Sequence, residues 1–257
     1  TGAKYDVDNI SILKIEKFPN NNHGQIYSGR GLEFDGVSDH LSLTQTDIST
    51  GAWTVGAWVN INALPDTVNV LNGGSGTRAS NNIAINADGE MAIYDYGGSG
   101  WQNADTVLNL STWYRVLWVY DGAGVLTFYL NGVADGTAYL GTSLINDDLV
   151  AQYIGTRDGS DRFWDGMMSN VQVWDAAFTQ ADVTYDYLNP ESLALNNGGT
   201  ALTESNLKLW YPMQDGHRGQ QSYILDGANT TRFGDDLITC GDFSCAVPTD
   251  YWTATNA

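Results

Sequence analysis

The stretch GGSGWQNAD (97–105) gathers side chains suited to a polyhydroxylated ligand. Trp101 sits in a Gly-rich loop and offers a flat apolar ring for the C–H face of a sugar. Gln102, Asn103 and Asp105 follow it with the amide and carboxylate groups that hydroxyls need. Tyr94 and Tyr96 stand at the edge of the preceding strand, and Trp164 with Arg162 on another loop. The same residues suit a second arrangement, in which Trp101 folds over the rim of the domain or enters a subunit contact. Composition alone leaves both open.

Carboxylates are the other chemical resource. Asp35 and Asp39 in FDGVSD are spaced to lie around one loop, and hard oxygen donors are what Ca²⁺ takes. Asp in turns also has a plainer use, accepting hydrogen bonds from nearby backbone N–H groups. His40 and His217 fall in no metal-ligand or triad spacing. The Gly-rich runs at 73–76 and 97–100 lack the Lys-Ser/Thr of a phosphate loop.

The 257 residues carry a formal charge of −19, with Asp outnumbering Glu 25 to 5. A field of that sign repels phosphate backbones, which excludes nucleic acid as a direct partner. No run approaches the roughly 20 apolar residues of a membrane span, so membrane insertion is not expected. With no initiator Met and no basic-apolar leader, the chain reads as a mature or excised piece. Cys240 and Cys245 suit either a small closed loop or two free thiols.

The positioning elements are strands. Alternating patterns predict them at 31–35, 40–44, 53–62, 67–71, 82–86, 90–94, 105–108, 113–120, 125–130, 150–155 and 167–174. Asx-Gly pairs at 35–36, 88–89, 121–122 and 131–132 supply the positive φ angles of tight turns. Trp58, Trp113 and Trp118 are expected to fill the space between two sheets about 10 Å apart. TQADVTYDYLN (179–189) predicts a short helix capped by Thr179 and stopped at Pro190. A strand is expected at 207–211. The class is all-β: an antiparallel jelly-roll sandwich with a short helix after its last strand.

Four ordered motifs carry a resemblance. GLEFDGVSDHLSL (31–43), AWTVGAWVNI (52–61), TWYRVLWVYDGAGVLTFYLNGV (112–133) and IGTRDGSDRFWDGMMSNVQVWDAAFTQADV (154–183) resemble, in sequence order, strands of laminin-G/pentraxin-type modules. These modules belong to the concanavalin A-like lectin superfamily. The resemblance implies a lectin-like sandwich over 25–183. It also implies edge sites for Ca²⁺, drawn from Asp35 and Asp39, or from Asn81-Asn82 with Asp158 and Asp161. Two departures weaken such sites: Ser169-Asn170 stand where relatives carry Asp, and Arg157 replaces an acceptor. Glycanases of the superfamily carry an E-x-D-x-E strand. With Glu only at 16, 33, 90, 191 and 204, no strand here has that pattern, so the chain is expected not to be an enzyme.

The flanks resemble other pieces. VDNISI (7–12) is similar to the last strand of a carbohydrate-binding-module-like jelly roll, and LITCGDFS (237–244) to the opening of one. Residues 1–24 then end a preceding β domain, 184–235 form a helix/strand extension, and 236–257 begin a further domain. Either the sequence is a window on a multidomain chain, or its ends pair within the chain or between subunits by strand addition. Residues 206–229 resemble a segment of structural proteins of tailed phages, marine ones particularly.

These readings together predict a non-catalytic module on a virion surface or outside a cell, of phage tail-fibre or capsid-surface type, with glycan-binding capacity. The expected partners are a host cell-surface glycan or other polysaccharide and further virion or surface subunits, in a homo-oligomer. Two alternatives stand beside it: a purely structural decoration or assembly protein with no sugar ligand, and a secreted bacterial carbohydrate-binding protein.

Overall fold

A computed structural model describes residues 31–48, 51–73, 83–95, 100–139, 149–189 and 202–213. Thirteen strands and one helix are described: β1 (Leu32–Asp35), β2 (Leu41–Ile48), β3 (Trp53–Ile61), β4 (Val68–Gly73), β5 (Ile83–Asn86), β6 (Glu90–Asp95), β7 (Gly100–Val107), β8 (Trp113–Tyr120), β9 (Val125–Leu130), β10 (Val133–Tyr139), β11 (Leu149–Ile154), β12 (Asp165–Trp174), α1 (Gln180–Leu188) and β13 (Leu207–Tyr211). They form two packed sheets. One runs β1-β12-β3-β8-β9-β10, with β13 also on β12; the other runs β2-β11-β4-β5-β6-β7. Every described ladder is antiparallel, as a jelly-roll sandwich requires.

Alternation sends one residue in two into the space between the sheets. Trp53, Val55, Ala57, Val59 and Ile61 of β3 meet Val116, Trp118 and Tyr120 of β8 there, with Leu71, Ile83, Ile85, Met91 and Ile93 from the facing sheet. Trp118 is fully buried, and its indole N–H donates to the Ala92 carbonyl across the gap at 3.1 Å. Trp58 does not join it, contrary to the sequence expectation. Its position in β3 turns it to the opposite face, where it stacks on Tyr187 of α1 at a centroid distance of 6.0 Å. Trp113 also faces outward and is half-buried. Alternation within a strand is plain in sequence, but which phase faces in is not when both faces are covered.

That outer face is covered because α1 lies on it, with Leu202 and Leu207 packed alongside from the segment that leads into β13, itself a strand of that sheet. A second apolar cluster forms there from Leu117, Val119, Trp174, Phe178, Val183, Leu202 and Leu207. Thr179 caps the helix as expected: its side chain accepts from the Asp182 N–H, and Asp182 Oδ2 accepts from the Thr179 N–H at 2.8 Å. A nine-residue helix is marginal by itself. An ion pair holds it down: Arg115 of β8 reaches Asp186 through Nε at 2.7 Å and through a terminal nitrogen at 3.0 Å, and its other nitrogen donates to the Asn170 carbonyl at 3.1 Å. Arg115 is wholly buried and Asp186 nearly so.

The hairpin at Asn131-Gly132 turns as its sequence predicts, with φ of 51° and 87°. Beyond it lies β10, a strand the sequence reading omitted. Its alternation is broken by a bulge between Ala134 and Thr137, where Gly136 takes φ of 97°. The terminal regions 1–24 and 214–257, with Cys240, Cys245, His217 and the proposed strand additions, lie outside the described residues.

Candidate functional site

Two surface regions hold the predicted ligand-binding residues. The first is the outer face of the six-stranded sheet. GWQNADTV is not a loop, as the sequence suggested, but the edge strand β7, starting at Gly100. The glycines that imply a loop sit just before it. Being a strand sorts the candidates by face: Trp101 and Asn103, opposite Tyr94 and Ala92, point outward and Ala104 enters the core, whereas past Asn103 the register shifts and the Asp105 carboxylate lies beside Gly136 of β10.

Trp101 pairs across the ladder with Tyr94 of β6, and the two rings meet edge to face at 5.2 Å and 75°. Its indole packs on Val68 and Ala84 of β4 and β5. Strands lie about 4.8 Å apart, so a ring rooted on β7 reaches that pair only by lying along the sheet across β6. Ala92 of β6, in register with both Ala84 and Asn103, leaves the height for it. The residue is half-buried. Asn103 is exposed beside it, and Asp105 farther along the strand.

Gln102 has a different task. Its amide nitrogen donates to the Tyr139 carbonyl at 2.7 Å, and its amide oxygen accepts from the Tyr139 N–H at 2.8 Å. The side chain thus takes the place of a missing ladder pair between β7 and β10, the edge strands of the two sheets. One step along, the Asp135 carboxylate accepts from the Thr106 N–H and hydroxyl. Gln102 is thereby withdrawn from the predicted ligand set. Tyr96 lies outside the described residues.

The second region is a groove of about 500 Å³ at one end of the sandwich, lined by Gly36, residues 63–69, 161–163 and Asp165. Arg162 lines it and takes φ of 56°. Trp164, paired with Arg162 in the sequence reading, is fully buried in the core and presents no ring to a ligand.

The carboxylates expected to hold Ca²⁺ surround this end. Asp35 Oδ1 accepts from the N–H groups of Val37, Ser38 and Asp39 at 2.9 to 3.0 Å. Those bonds, Ser38 foremost, hold its carboxyl at about 2, well below the usual carboxylate range. The Asp158 side chain accepts from Ser160, which lowers its pKa, with Arg157 adding to the effect. Arg157 bridges Asp158 at 3.1 Å and Asp161 at 2.8 Å. The four described carboxylates do not fit a calcium ion as one donor set. One closes a turn, two flank a guanidinium that already supplies their positive charge, and Asp39 enters the network only through its backbone N–H. Among the described residues no group of three or more His, Cys, Asp or Glu converges for a metal. Asn81 and Asn82 lie outside the described residues. His40 packs its ring against Tyr153 and Phe163 and donates from Nδ1 to the Ser38 carbonyl.

Sequence reasoning passed over Gln102 as a clamp and Arg115 with Asp186 as an anchor. Arg115 left a signal, a lone cation inside the apolar run WYRVLWVY, next to an outward phase too apolar for solvent. Gln102 left none, since its partner is a backbone 37 residues away.

A family model of the concanavalin A-like lectin/glucanases superfamily, laminin-G type, matches residues 35–184, more than half of the chain. A candidate carbohydrate-binding protein from Bacteroides ovatus is similar in structure, with a TM-score of 0.54, 21% identity, and coverage of 77% of this chain and 55% of that one. A heptameric pentraxin from Limulus polyphemus aligns with a TM-score of 0.48 and 21% identity over 60% of this chain and 80% of its own. A Trypanosoma rangeli sialidase aligns at 0.49 and 15% identity, over 64% of this chain and 28% of its own. The chain therefore spans about half the length of the Bacteroides protein and a smaller share of the sialidase. No curated protein matches it in sequence.

Proposed function

The chain belongs to the laminin-G-type family of the concanavalin A-like lectin/glucanases superfamily, and from that premise we propose that it is a non-catalytic glycan-binding module. The fold is shared by many activities, so the reading rests on the site. The observation that carries it is Trp101: an indole laid on a sheet face that no other described element covers, contacted by Tyr94, with Asn103 exposed on the same face and Asp105 exposed farther along the strand. An apolar ring next to amide and carboxylate groups is the pairing a pyranose requires. The candidate carbohydrate-binding protein of like fold is consistent with this.

The test is binding of the purified chain to a glycan panel, with Trp101→Ala alongside. The expected result is binding by the wild type that the variant loses while its Tm stays close to the parent's. Unchanged binding by a folded Trp101→Ala protein rejects the site.

We place the module outside a cell or on a virion surface, on the resemblance of residues 206–229 to tailed-phage structural proteins. Antibody labelling of intact particles tests the virion part; label confined to free protein rejects it. A second reading, an assembly unit with no sugar ligand, is favoured by one observation. Val133 and Tyr139 are 67% and 70% exposed on the edge strand β10, where apolar side chains suit a subunit contact. Sedimentation of wild type against Tyr139→Ser tests it; identical monomeric behaviour counts against that reading.

A further inference from the structure

Resting on that glycan reading, we infer that the Trp101 platform takes uncharged hexopyranose polysaccharides and discriminates against carboxylated, sialylated or sulfated ones. The argument is electrostatic and positional. Binding an anionic sugar calls for a cation within hydrogen-bond or Debye range of the ring, about 8 Å at physiological salt. The strands that build the platform carry Glu90 and Asp105 outside and no Lys or Arg.

Every cation among the described residues has another place. Arg115 is buried beneath α1 on the far sheet, paired with Asp186. Arg157 is bound between Asp158 and Asp161. Lys208 pairs with Asp175 at 2.7 Å on the far sheet's outer side. Arg162 lines the end groove, with Asp66, Asp161 and Asp165 around it. The chain as a whole adds its formal charge of −19 to that local field. Two anions that approach without an intervening cation repel, and desolvating them against the indole adds to the cost. An uncharged pyranose meets neither penalty: its C–H face covers the ring, and its hydroxyls pair with the Asn103 amide in both directions.

Among the described residues, the platform has no charge complement for a sugar carboxylate.

The experiment uses polymer pairs that differ in charge and share a backbone: hydroxyethyl-cellulose against carboxymethyl-cellulose, galactan against sulfated galactan, and lactose against sialyl-lactose. Each is measured from about 50 to about 500 mM salt. The expected result is binding to neutral members that changes less than about twofold across the salt range and is at least about tenfold tighter than to their charged partners. Trp101→Ala should lose that binding about tenfold, and Trp101→Phe, which keeps a ring on the sheet, should retain most of it. Asp105→Lys should narrow the neutral-to-charged preference. Tighter binding to the charged partner, weakening with salt, overturns the inference and leaves the glycan reading standing. Binding to neither member of any pair overturns both.

Discussion

The two outer faces of this sandwich have opposite fates. On the seven-stranded sheet the outer face is roofed by α1 with Leu202 and Leu207 beside it, so Trp58, Leu117, Val119 and Trp174 are buried and even Arg115 has no exposure. On the six-stranded sheet Ala84 and Ala92 leave the surface low, and a single indole lies over it. Both faces use tryptophan, but for different ends. A ring beneath a helix contributes to the core, whereas a half-buried ring contributes little that a smaller apolar residue would not. On the proposed reading that ring serves a ligand on a face no other described element covers, and the contrast yields the predictions.

The largest effect is expected on the roofed face. Asp186→Ala leaves the Arg115 guanidinium buried with no counter-charge, which should destabilise the fold by about 3–5 kcal/mol in chemical denaturation. Replacing both partners, Arg115→Met with Asp186→Leu, should cost less than the single change, because no charge is then stranded. If the single change were the milder, the helix would be held by its apolar cluster and the contrast between the faces would weaken. Where Asp186→Ala remains folded, its glycan affinity should equal the parent's.

Next is the seam between the sheets. Gln102→Ala removes two hydrogen bonds that close β7 onto β10, at about 1 kcal/mol each, so a loss near 2 kcal/mol is expected. Amide hydrogen exchange at Tyr139 should rise in this variant before exchange in β3 does. A loss of glycan binding with unchanged stability would return Gln102 to the ligand set and overturn its assignment as a clamp.

Trp101→Ala reverses the pattern of Asp186→Ala. Its stability change should be small, while affinity falls roughly tenfold, about 1.4 kcal/mol. Groove changes sharpen this: Arg162→Ala should alter binding by less than about twofold if the platform is the site. A larger drop there than at Trp101 would move the site to the end of the sandwich.

Much of this was legible in sequence, and the parts that were not share a cause. Strand positions other than those of β7 and β10 follow from alternation and Asx-Gly turns, since each is a local pattern. The Thr179 cap follows from its own four residues. β10 escaped because a bulge at Gly136 breaks the alternation that would have marked it. Trp101 was recognised as a ligand candidate but misplaced on a loop, because the glycines before it dominate the local composition. Its face-sharing with Asn103, and the opposite phase of Gln102, follow only once the strand is known. The Arg115–Asp186 contact spans 71 residues, and its identity depends on which helix face meets the sheet.

The smallest predicted effect concerns Asp35 and distinguishes turn chemistry from metal binding. Its carboxyl is held at about 2, against an ordinary value of 3.8, by N–H donors from Ser38, Asp39 and Val37. A depressed value means the folded state favours the charged form, so the contribution is fully present above pH 3.8 and is lost as pH falls through about 2. The side chain is exposed, and screening keeps the effect on global stability slight. The clear readout is local: the Asp35 carboxyl titration followed by NMR, whose midpoint should lie near 2 with or without excess chelator. A bound divalent cation would also depress that midpoint, but it would release on chelation and let the midpoint rise. Three backbone donors cannot be chelated away. A midpoint that climbs toward 3.8 when chelator is added would therefore restore calcium to this end of the sandwich, and with it a reason to look for the ligand in the groove and not on the platform.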